Sequence, residues 1–318
     1  MATARALVIC EITDRMQRDL EAHFAPVHWP EISDKQGFLD RDGASVDYVL
    51  TDGHYGVAPE ILEGLPNLKA VSSYGVGYDA IDTDATNARG VPVAHTPGVL
   101  SDEVATTALL LLLACYRNFE AHLANARSGD WATKGGPPLA RSADNRNVGI
   151  VGLGRIGMSI ASKLAPFHTH IHYHNRSARD VPYTYHADLL EMAKAVDALV
   201  CATPGGPETH HLVDARVMDA LGPDGVLVNV GRGSVVDEQA LIRALQDNRL
   251  GWAGLDVFEN EPNIPDALRA LPNTILTPHC ASATVVTRAA MGDLAVRNLV
   301  AHLKTGKLES PVPESAHL

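Results

Sequence analysis

Short apolar runs alternate with stretches of helical periodicity along most of the chain, and this alternation is typical of α/β domains built on parallel sheets. The runs fall into two sets, one in the first third of the chain and one in its second half. The first set predicts strands at 6–10, 47–51, 68–72 and 91–95. The second set predicts strands at 148–151, 171–174, 198–202, 226–230, 252–257 and 274–277. We therefore expect two parallel sheets.

Two long helices mark where the chain passes between these sets of strands. Pro97 interrupts the first set, and Ser101 is predicted to cap a long apolar helix that ends near Arg127. The last helix is predicted from about Thr284 to Lys304, which is long enough to cross back to the first set. The first domain is then discontinuous. The expected domains are 1–97 plus 285–318, and 98–284.

The charge balance and the cysteines narrow the choice of partners and compartment. The 318 residues include 26 basic and 38 acidic side chains, and the net charge of −12 argues against a nucleic-acid or membrane surface. The longest apolar run, at 108–116, is too short to span a bilayer. The four cysteines are far apart and are typical of reduced thiols. We therefore expect a cytoplasmic protein with no nucleic-acid or membrane partner.

The strongest chemical signal lies at 147–157. An apolar strand is followed by Gly152, Gly154 and Gly157 at G-x-G-x-x-G spacing, and a helical pattern comes next. In a dinucleotide site the first glycine permits a tight turn, the second lets a pyrophosphate approach, and the third lets the helix lie close to the strand. The helix N-terminus adds free N–H groups and a partial positive charge. The stretch therefore predicts a dinucleotide-binding site.

The residues after the next strand favour NADPH over NADH. NAD-binding folds carry an acidic residue about 20 residues after the glycines, where its carboxylate binds the ribose 2′-hydroxyl. Here that place is taken by Asn175, Arg176 and Ser177. Arg176 could instead pair with the 2′-phosphate of NADPH. NADP(H) is therefore the predicted cofactor, and NAD(H) is the alternative. If this segment were only a turn with one solvated arginine, it would indicate no preference between the two cofactors.

Three polar side chains follow strands of the second set, at the edge where open parallel sheets bind ligands. They are Arg232, His279 and Glu261, the last in a loop that could reach the histidine. Arginine binds a carboxylate or carbonyl oxygen, and histidine can protonate that oxygen as a hydride arrives. A carboxylate beside the histidine would hold the ring and favour its charged form. Each residue alone would also suit an ordinary loop, but together they predict reduction of a 2-keto acid.

Four histidines alternate with other residues between His168 and His174. Strand alternation would place them on one face, where a metal cluster is one interpretation. However, no carboxylate or cysteine is interleaved, and helices should cover that strand. We therefore predict no metal site.

Motifs along nearly the whole chain resemble those of the D-isomer-specific 2-hydroxyacid dehydrogenases. In chain order they are Ser73-Tyr-Gly-Val-Gly-Tyr-Asp79, Thr96-Pro-Gly-Val-Leu-Ser-Asp-Glu-Val-Ala105, Gly152-Leu-Gly-Arg-Ile-Gly157, Asn229-Val-Gly-Arg-Gly-Ser234, Leu255-Asp-Val-Phe-Glu-Asn-Glu-Pro262 and Thr277-Pro-His-Cys-Ala-Ser-Ala-Thr284. The resemblance implies two Rossmann-like, doubly wound α/β domains with a cleft between them. It also implies a homodimer formed through the cofactor domains by the long helix after Pro97.

The resemblance assigns roles to individual residues. It implies that the catalytic residues are Arg232, Glu261 and His279. It implies that the substrate is bound by Tyr74, Gly75, Val76, Gly77, Arg232 and Ser282. It implies that the cofactor is bound by Gly152, Gly154, Arg155, Ile156, Gly157, Asn175, Arg176, Ser177, Thr203, Pro204, Thr209, Val230, Asp256 and His279.

The function implied is NADPH-dependent reduction of glyoxylate and hydroxypyruvate to glycolate and D-glycerate by hydride transfer. One alternative is an NAD(H)-dependent D-2-hydroxyacid dehydrogenase of another substrate preference, such as the phosphoglycerate type. Another is a non-catalytic nucleotide-sensing scaffold, as in the C-terminal-binding corepressors. In the reductase branch a tryptophan from the region of Trp131 enters the partner subunit's pocket, whereas an ordinary loop anchor is equally compatible with the sequence here.

Overall fold

The computed structural model describes residues 3–318, which form two compact units. The first unit comprises Met1–Leu100 and Ala283–Leu318, and the second comprises Ser101–Ser282. Each unit is built on one parallel sheet with helices packed against it, which confirms the predicted α/β class with two Rossmann-like sheets. No helix within residues 3–318 combines the length and the apolar character needed to cross a membrane.

The first unit carries a five-stranded sheet in the order β2-β1-β3-β4-β5. Its strands are β1 (Arg5–Val8), β2 (Ala25–His28), β3 (Val46–Thr51), β4 (Ala70–Ser73) and β5 (Val93–Ala94). The helices between them are α1 (Asp14–Glu21), α2 (Lys35–Asp42), α3 (Pro59–Gly64) and α4 (Thr83–Ala88). Leu7 and Val49, on the central strands, are fully buried because both faces of a parallel sheet are covered.

The second unit carries a seven-stranded sheet in the order β12-β11-β10-β9-β6-β7-β8. Its strands are β6 (Asn147–Val151), β7 (His170–His174), β8 (Thr184–His186), β9 (Ala198–Cys201), β10 (Val226–Asn229), β11 (Trp252–Leu255) and β12 (Thr274–Leu276). Its helices are α5 (Ser101–Tyr116), α6 (Phe119–Ser128), α7 (Asp130–Lys134), α8 (Arg155–Leu164), α9 (Leu189–Ala195), α10 (Ala215–Leu221), α11 (Glu238–Gln246) and α12 (Asp266–Arg269). The strand order reverses between β6 and β9, and ligands bind at such a switch point in open α/β sheets.

After β12 the chain returns to the first unit as α13 (Val285–Thr305). Thr284 caps this helix, because its hydroxyl accepts a hydrogen bond from the Thr287 amide at 3.2 Å. The helix packs on the first sheet, where the Ser72 hydroxyl donates to the Ala295 carbonyl oxygen at 2.9 Å. The last helix therefore covers one face of the first sheet.

The long apolar helix predicted from Ser101 to about Arg127 is two helices in the structure. Asn118 has a φ of 47°, a left-handed conformation that ends the regular helix before α6 begins. Ser101 is itself the first helical residue, so the prediction that it caps the helix was wrong. The short helix α7 follows α6.

Two strands, β2 and β8, were missed by the apolar pattern. Both lie at an edge of their sheet, and their residues are half-exposed or exposed. β2 contains Pro26, and β8 is the polar tripeptide Thr184-Tyr-His186. An edge strand pairs on one side only, so it needs no continuous apolar run.

Candidate active site

The glycine loop follows β6 at the point where the strand order of the second sheet reverses. Gly152 has a φ of 94°, and a Cβ there would lie 2.8 Å from the Thr203 backbone nitrogen. Gly157 has no room for a Cβ because it packs against the Gly152 carbonyl oxygen. A Cβ at Gly154 would meet nothing within 4 Å. Gly154 occupies the N-cap position of α8, so no side chain caps the first turn of this helix. The start of α8 therefore borders an open space and fits the pyrophosphate of a dinucleotide.

The predicted ribose position lies beside this loop. The Asn175 Oδ1 atom accepts a hydrogen bond from the Leu153 amide at 2.7 Å, so Asn175 holds the glycine loop in place. Arg179 donates from its guanidinium to the Leu153 carbonyl oxygen. Arg176 extends from the surface, and its Nη1 atom lies 3.4 Å from the Glu208 carboxylate. An exposed arginine, next to Asn175 in place of an acidic residue at the ribose position, fits the 2′-phosphate of NADPH.

The other residues predicted to contact the cofactor follow neighbouring strands of the same sheet. After β9, the Thr209 hydroxyl donates to the Pro204 carbonyl oxygen at 2.8 Å and closes that loop. Ser177 is exposed, next to Arg176. Arg155 and Ile156 lie in the first turn of α8. Thr203 follows β9, and Val230 follows β10.

A buried asparagine shapes the turn that carries Arg232. Asn229, at the end of β10, is 1% exposed. Its Oδ1 accepts from the Gly231 amide at 3.0 Å, and its Nδ2 donates to the Arg232 carbonyl oxygen at 2.8 Å. The next residue, Gly233, has no room for a Cβ because it packs against the Phe258 backbone. The Arg232 turn therefore lies directly against the loop after β11.

That loop brings Glu261 to His279. The His279 Nδ1 and Glu261 Oε2 atoms are 2.6 Å apart, and the Phe258 amide donates to Glu261 Oε1 at 2.9 Å. Burial alone would raise the pKa of Glu261. The hydrogen bond and charge of His279, with smaller contributions from Phe258 and Arg232, outweigh burial and lower the pKa of Glu261. Glu261 is therefore ionised at neutral pH and accepts a hydrogen bond from the Nδ1–H group, which leaves Nε2 available on the half-exposed imidazole.

Asp256 holds the backbone on which His279 lies. Its carboxylate is fully buried and accepts hydrogen bonds from the Thr277 hydroxyl at 2.7 Å and from the Cys280 and Ala281 amides at 2.9 Å. The His279 amide donates to the Asp256 carbonyl oxygen at 2.8 Å. His279 has a φ of 47°, a left-handed conformation that these bonds maintain. Asp256, predicted to contact the cofactor, lies in the structure beneath the histidine.

The predicted substrate loop of Gly75, Val76 and Gly77 belongs to the first unit. Each of its three carbonyl oxygens accepts a hydrogen bond from the same unit. Within residues 3–318, none of its three amide N–H groups donates to a protein acceptor. Unpaired neighbouring amides form a site that fits an anion such as a carboxylate.

Two further residues predicted to bind the substrate belong to different units. Tyr74 is buried in the first unit, and its hydroxyl donates to the Arg288 carbonyl oxygen at 3.2 Å. Ser282 is half-buried at the end of the second unit. Nowhere among residues 3–318 do three histidine, cysteine or acidic side chains converge to hold a metal ion.

A family model, that of the NAD-binding domain of D-isomer-specific 2-hydroxyacid dehydrogenases, matches residues 109–281. The chain belongs to this family. The resemblance found in the sequence motifs is therefore confirmed, and the protein is an oxidoreductase of the D-2-hydroxyacid dehydrogenase type.

Relatives of this dehydrogenase act on different 2-keto acids. Glyoxylate/hydroxypyruvate reductase A of Arabidopsis thaliana is 41% identical over 313 residues, which cover 98% of this chain and 100% of the relative. The 2-ketogluconate reductase of Gluconobacter oxydans is 44% identical over 265 residues, covering 83% and 85%. The crystal structure of the NADPH-dependent glyoxylate/hydroxypyruvate reductase of Sinorhizobium meliloti with NADP and malonate has a TM-score of 0.93 and 43% identity, covering 99% of this chain and 98% of that one.

Three residues of this dehydrogenase site were not given their structural roles by the sequence. Asn229 was part of a motif, but its side-chain bonds to the Arg232 turn depend on backbone geometry. The same holds for Asp256 beneath His279 and for Arg179 against the glycine loop. A polar residue that ends an apolar strand, such as Asn229 or Asp256, is the signal that could have found two of them.

The glycine loop gives a matched pair of variants. Gly157→Ala should lower the free energy of unfolding by about 1–3 kcal/mol, because its methyl group would push into the Gly152 backbone. Gly154→Ala should leave stability unchanged, since its methyl group meets nothing, but should weaken dinucleotide binding by filling the space beside α8. Urea denaturation and fluorescence titration measure the two effects. Equal loss of stability in both variants would contradict the assigned glycine roles.

Proposed function

We propose that this dehydrogenase is an NADPH-dependent reductase of small 2-keto acids, and that it converts glyoxylate and hydroxypyruvate to glycolate and D-glycerate. The observation that carries the proposal is the 2.6 Å contact between His279 Nδ1 and Glu261 Oε2, which leaves Nε2 as a proton donor. Arg232 lies on the adjoining turn, and the same unit carries the glycine loop and Arg176. The names of the Arabidopsis and Sinorhizobium relatives support the choice of substrates.

We assign the two units different tasks. The second unit holds the dinucleotide through its glycine loop, and Arg176 with Ser177 binds the 2′-phosphate. The first unit holds the substrate carboxylate on the amides of Gly75, Val76 and Gly77. NAD(H) lacks the phosphate that Arg176 would bind, so it is the weaker cofactor.

In the reaction, the reduced nicotinamide supplies the hydride when it is bound. Arg232 binds the keto acid through paired N–H donors and stabilises negative charge on the carbonyl oxygen. His279 donates its Nε2 proton to that oxygen, which gives the 2-hydroxy acid. Glu261 remains ionised and accepts the Nδ1 hydrogen bond, which holds the ring in place while Nε2 gives up its proton. Asp256 keeps the His279 backbone in place throughout.

We also propose that the protein is cytoplasmic. All four cysteines are free thiols, and three of them are buried. Burial raises the pKa of Cys115 and Cys201 to about 12, so these thiols are unreactive packing groups. A reducing compartment keeps such thiols unpaired.

A panel of keto acids with both cofactors tests the proposal. NADPH oxidation, followed by absorbance, should show turnover of glyoxylate and hydroxypyruvate on the order of 1 s⁻¹ or faster. 2-Ketogluconate and phosphohydroxypyruvate serve as competing substrates, the second with NADH. Preference for phosphohydroxypyruvate with NADH would indicate the phosphoglycerate type. Binding of NADPH without turnover of any 2-keto acid would indicate a nucleotide-sensing scaffold.

Arg176 should set the cofactor preference. Arg176→Ala should raise KM for NADPH about tenfold, roughly the contribution of one charge-assisted hydrogen bond, and change KM for NADH less than about twofold. Glu208→Gln is the matched control: it removes the carboxylate that competes for Arg176, so KM for NADPH should fall slightly. Equal changes for both cofactors in Arg176→Ala would refute the assignment.

We propose that the enzyme is a homodimer that pairs through the face formed by α5, α6, α7 and the segment after them. Large apolar side chains are exposed on this face: Leu110, Phe119, Leu123, Trp131 and Leu139. Trp131 is 73% exposed, so it does not anchor a loop within its own unit. A two-fold contact would bury such side chains on both subunits, and it would bring Trp131 close to the partner.

Light scattering should give twice the chain mass of 33.9 kDa at micromolar concentration. Leu110→Glu should shift the protein towards monomer, whereas Leu303→Glu, at an exposed leucine of α13, should not. Trp131→Ala should change the ratio of kcat/KM for hydroxypyruvate and glyoxylate while the dimer persists. A monomeric wild type would contradict the assembly, and an unchanged ratio would remove Trp131 from the pocket.

A further inference from the structure

We propose that His95 is a positioning residue that sets the direction in which the 75–77 loop presents its amides to the substrate carboxylate. The inference rests on the proposed function, in which this loop of Gly75, Val76 and Gly77 holds the carboxylate. All atoms that carry it belong to the first unit.

Each carbonyl oxygen of the loop is held by a separate donor. The Gly75 oxygen accepts from the Thr96 amide at 2.7 Å, and the Gly77 oxygen accepts from the Ser73 hydroxyl at 3.0 Å. The Val76 oxygen is 2.9 Å from His95 Nδ1, which must be the protonated ring nitrogen because a carbonyl only accepts. The Val76 oxygen is therefore held by a side-chain ring donor, whereas the Gly75 oxygen is held by a backbone amide and the Gly77 oxygen by a hydroxyl.

Fixing the Val76 oxygen also fixes the next amide. The peptide bond between Val76 and Gly77 is trans, so its C=O and N–H groups point in opposite directions. When His95 holds the oxygen on one side, the Gly77 N–H points to the other side, where no protein acceptor within residues 3–318 meets it. Without His95 this peptide could rotate, because glycine at position 77 offers little resistance to a change of backbone angles.

The surroundings of His95 hold its ring still. Its amide donates to the Ser310 carbonyl oxygen at 3.1 Å, and its own carbonyl oxygen accepts from the Ser310 hydroxyl at 2.7 Å and from Asn298 Nδ2 at 3.3 Å. The Tyr78 ring meets the His95 ring edge-on, with centroids 5.4 Å apart. His95 is 9% exposed. A donor held in this way fixes the orientation of the Val76 carbonyl group.

The effect on catalysis should fall on substrate binding. The loop would hold the carboxylate equally in the ground state and in the transition state, so loss of one oriented amide should raise KM for the keto acid more than it lowers kcat. NADPH binding should not respond, since the glycine loop belongs to the other unit.

A matched pair of variants separates the hydrogen bond from packing. Asn and Leu have nearly the same shape, and the Asn Nδ2 donor occupies the place of His Nδ1, whereas Leu has no donor. His95→Leu should raise KM for glyoxylate about tenfold, with KM for NADPH within about twofold of wild type. His95→Asn should lie within about threefold of wild type for both. Tyr78→Phe, which loses only the hydroxyl contact with Glu314, is the packing control and should leave both values unchanged.

Circular dichroism and thermal melting establish that each variant is folded. If His95→Leu does not fold, His95→Phe, which keeps a ring beside Tyr78 without the donor, takes its place with the same expected KM. The inference would be overturned if KM for glyoxylate were unchanged in His95→Leu or His95→Phe, or if His95→Asn raised that KM as much as they do. Either result would leave the proposed function intact. A wild type that reduces no 2-keto acid would overturn the proposed function and this inference with it.

Discussion

The fully buried carboxylate of Asp256 is the constraint on which the candidate active site depends. It lies directly after β11 and accepts three hydrogen bonds from the segment that carries His279. A buried carboxylate is costly unless its oxygens are hydrogen-bonded, and leaving one donor or acceptor unpaired costs about 1–3 kcal/mol. These bonds hold the segment in the arrangement in which His279 has a left-handed backbone and its ring meets Glu261.

The same logic extends to the loops around it. Asn229 fixes the Arg232 turn through two side-chain bonds, and Gly233 lets that turn lie against the loop of Glu261. The backbone turns that carry Arg232 and His279 are thus each held by a buried polar residue at the end of an apolar strand. The glycine loop is held by two polar side chains nearer the surface, since the half-buried Asn175 and the exposed Arg179 both bind Leu153. Polar groups buried beneath the site give it a defined geometry because each has its partners.

The sequence predicted the features that depend on local pattern. Central strands such as β6 and β9 are continuous apolar runs, and the glycines at 152, 154 and 157 have the spacing of a dinucleotide-binding loop. It did not predict the edge strands β2 and β8, which lack a continuous apolar run. It also did not predict the helix break at Asn118, because a left-handed residue interrupts the helix without a change in hydrophobicity.

A related reason explains why the roles of residues that act through contacts between distant parts of the chain could not be predicted. Arg176 was expected at the ribose position, but its contact with Glu208 joins two loops that are distant in the chain. Asp256 and His95 are both buried, and their hydrogen bonds depend on where neighbouring backbone groups lie in the folded unit. Spacing along a sequence gives the residue types at a site, whereas the direction of each donor and acceptor comes from tertiary packing.

The central claim is that the ionised Glu261 holds the His279 ring through the Nδ1 hydrogen bond, so that Nε2 can donate its proton to the substrate. The most direct test is the pH dependence of kcat/KM for glyoxylate in wild type and Glu261→Gln, with a deuterated NADPH isotope effect to establish that hydride transfer limits the rate. The lowered pKa of Glu261 means that its charge is present throughout the neutral range and is lost only in acid, as the pH falls through that lowered pKa. The wild type should therefore lose kcat/KM in acid as Glu261 becomes protonated, whereas Glu261→Gln should have a lower kcat/KM at neutral pH and should lack that acid limb. An acid limb at the same pH in both proteins, or an unchanged kcat/KM at neutral pH in Glu261→Gln, would contradict the account.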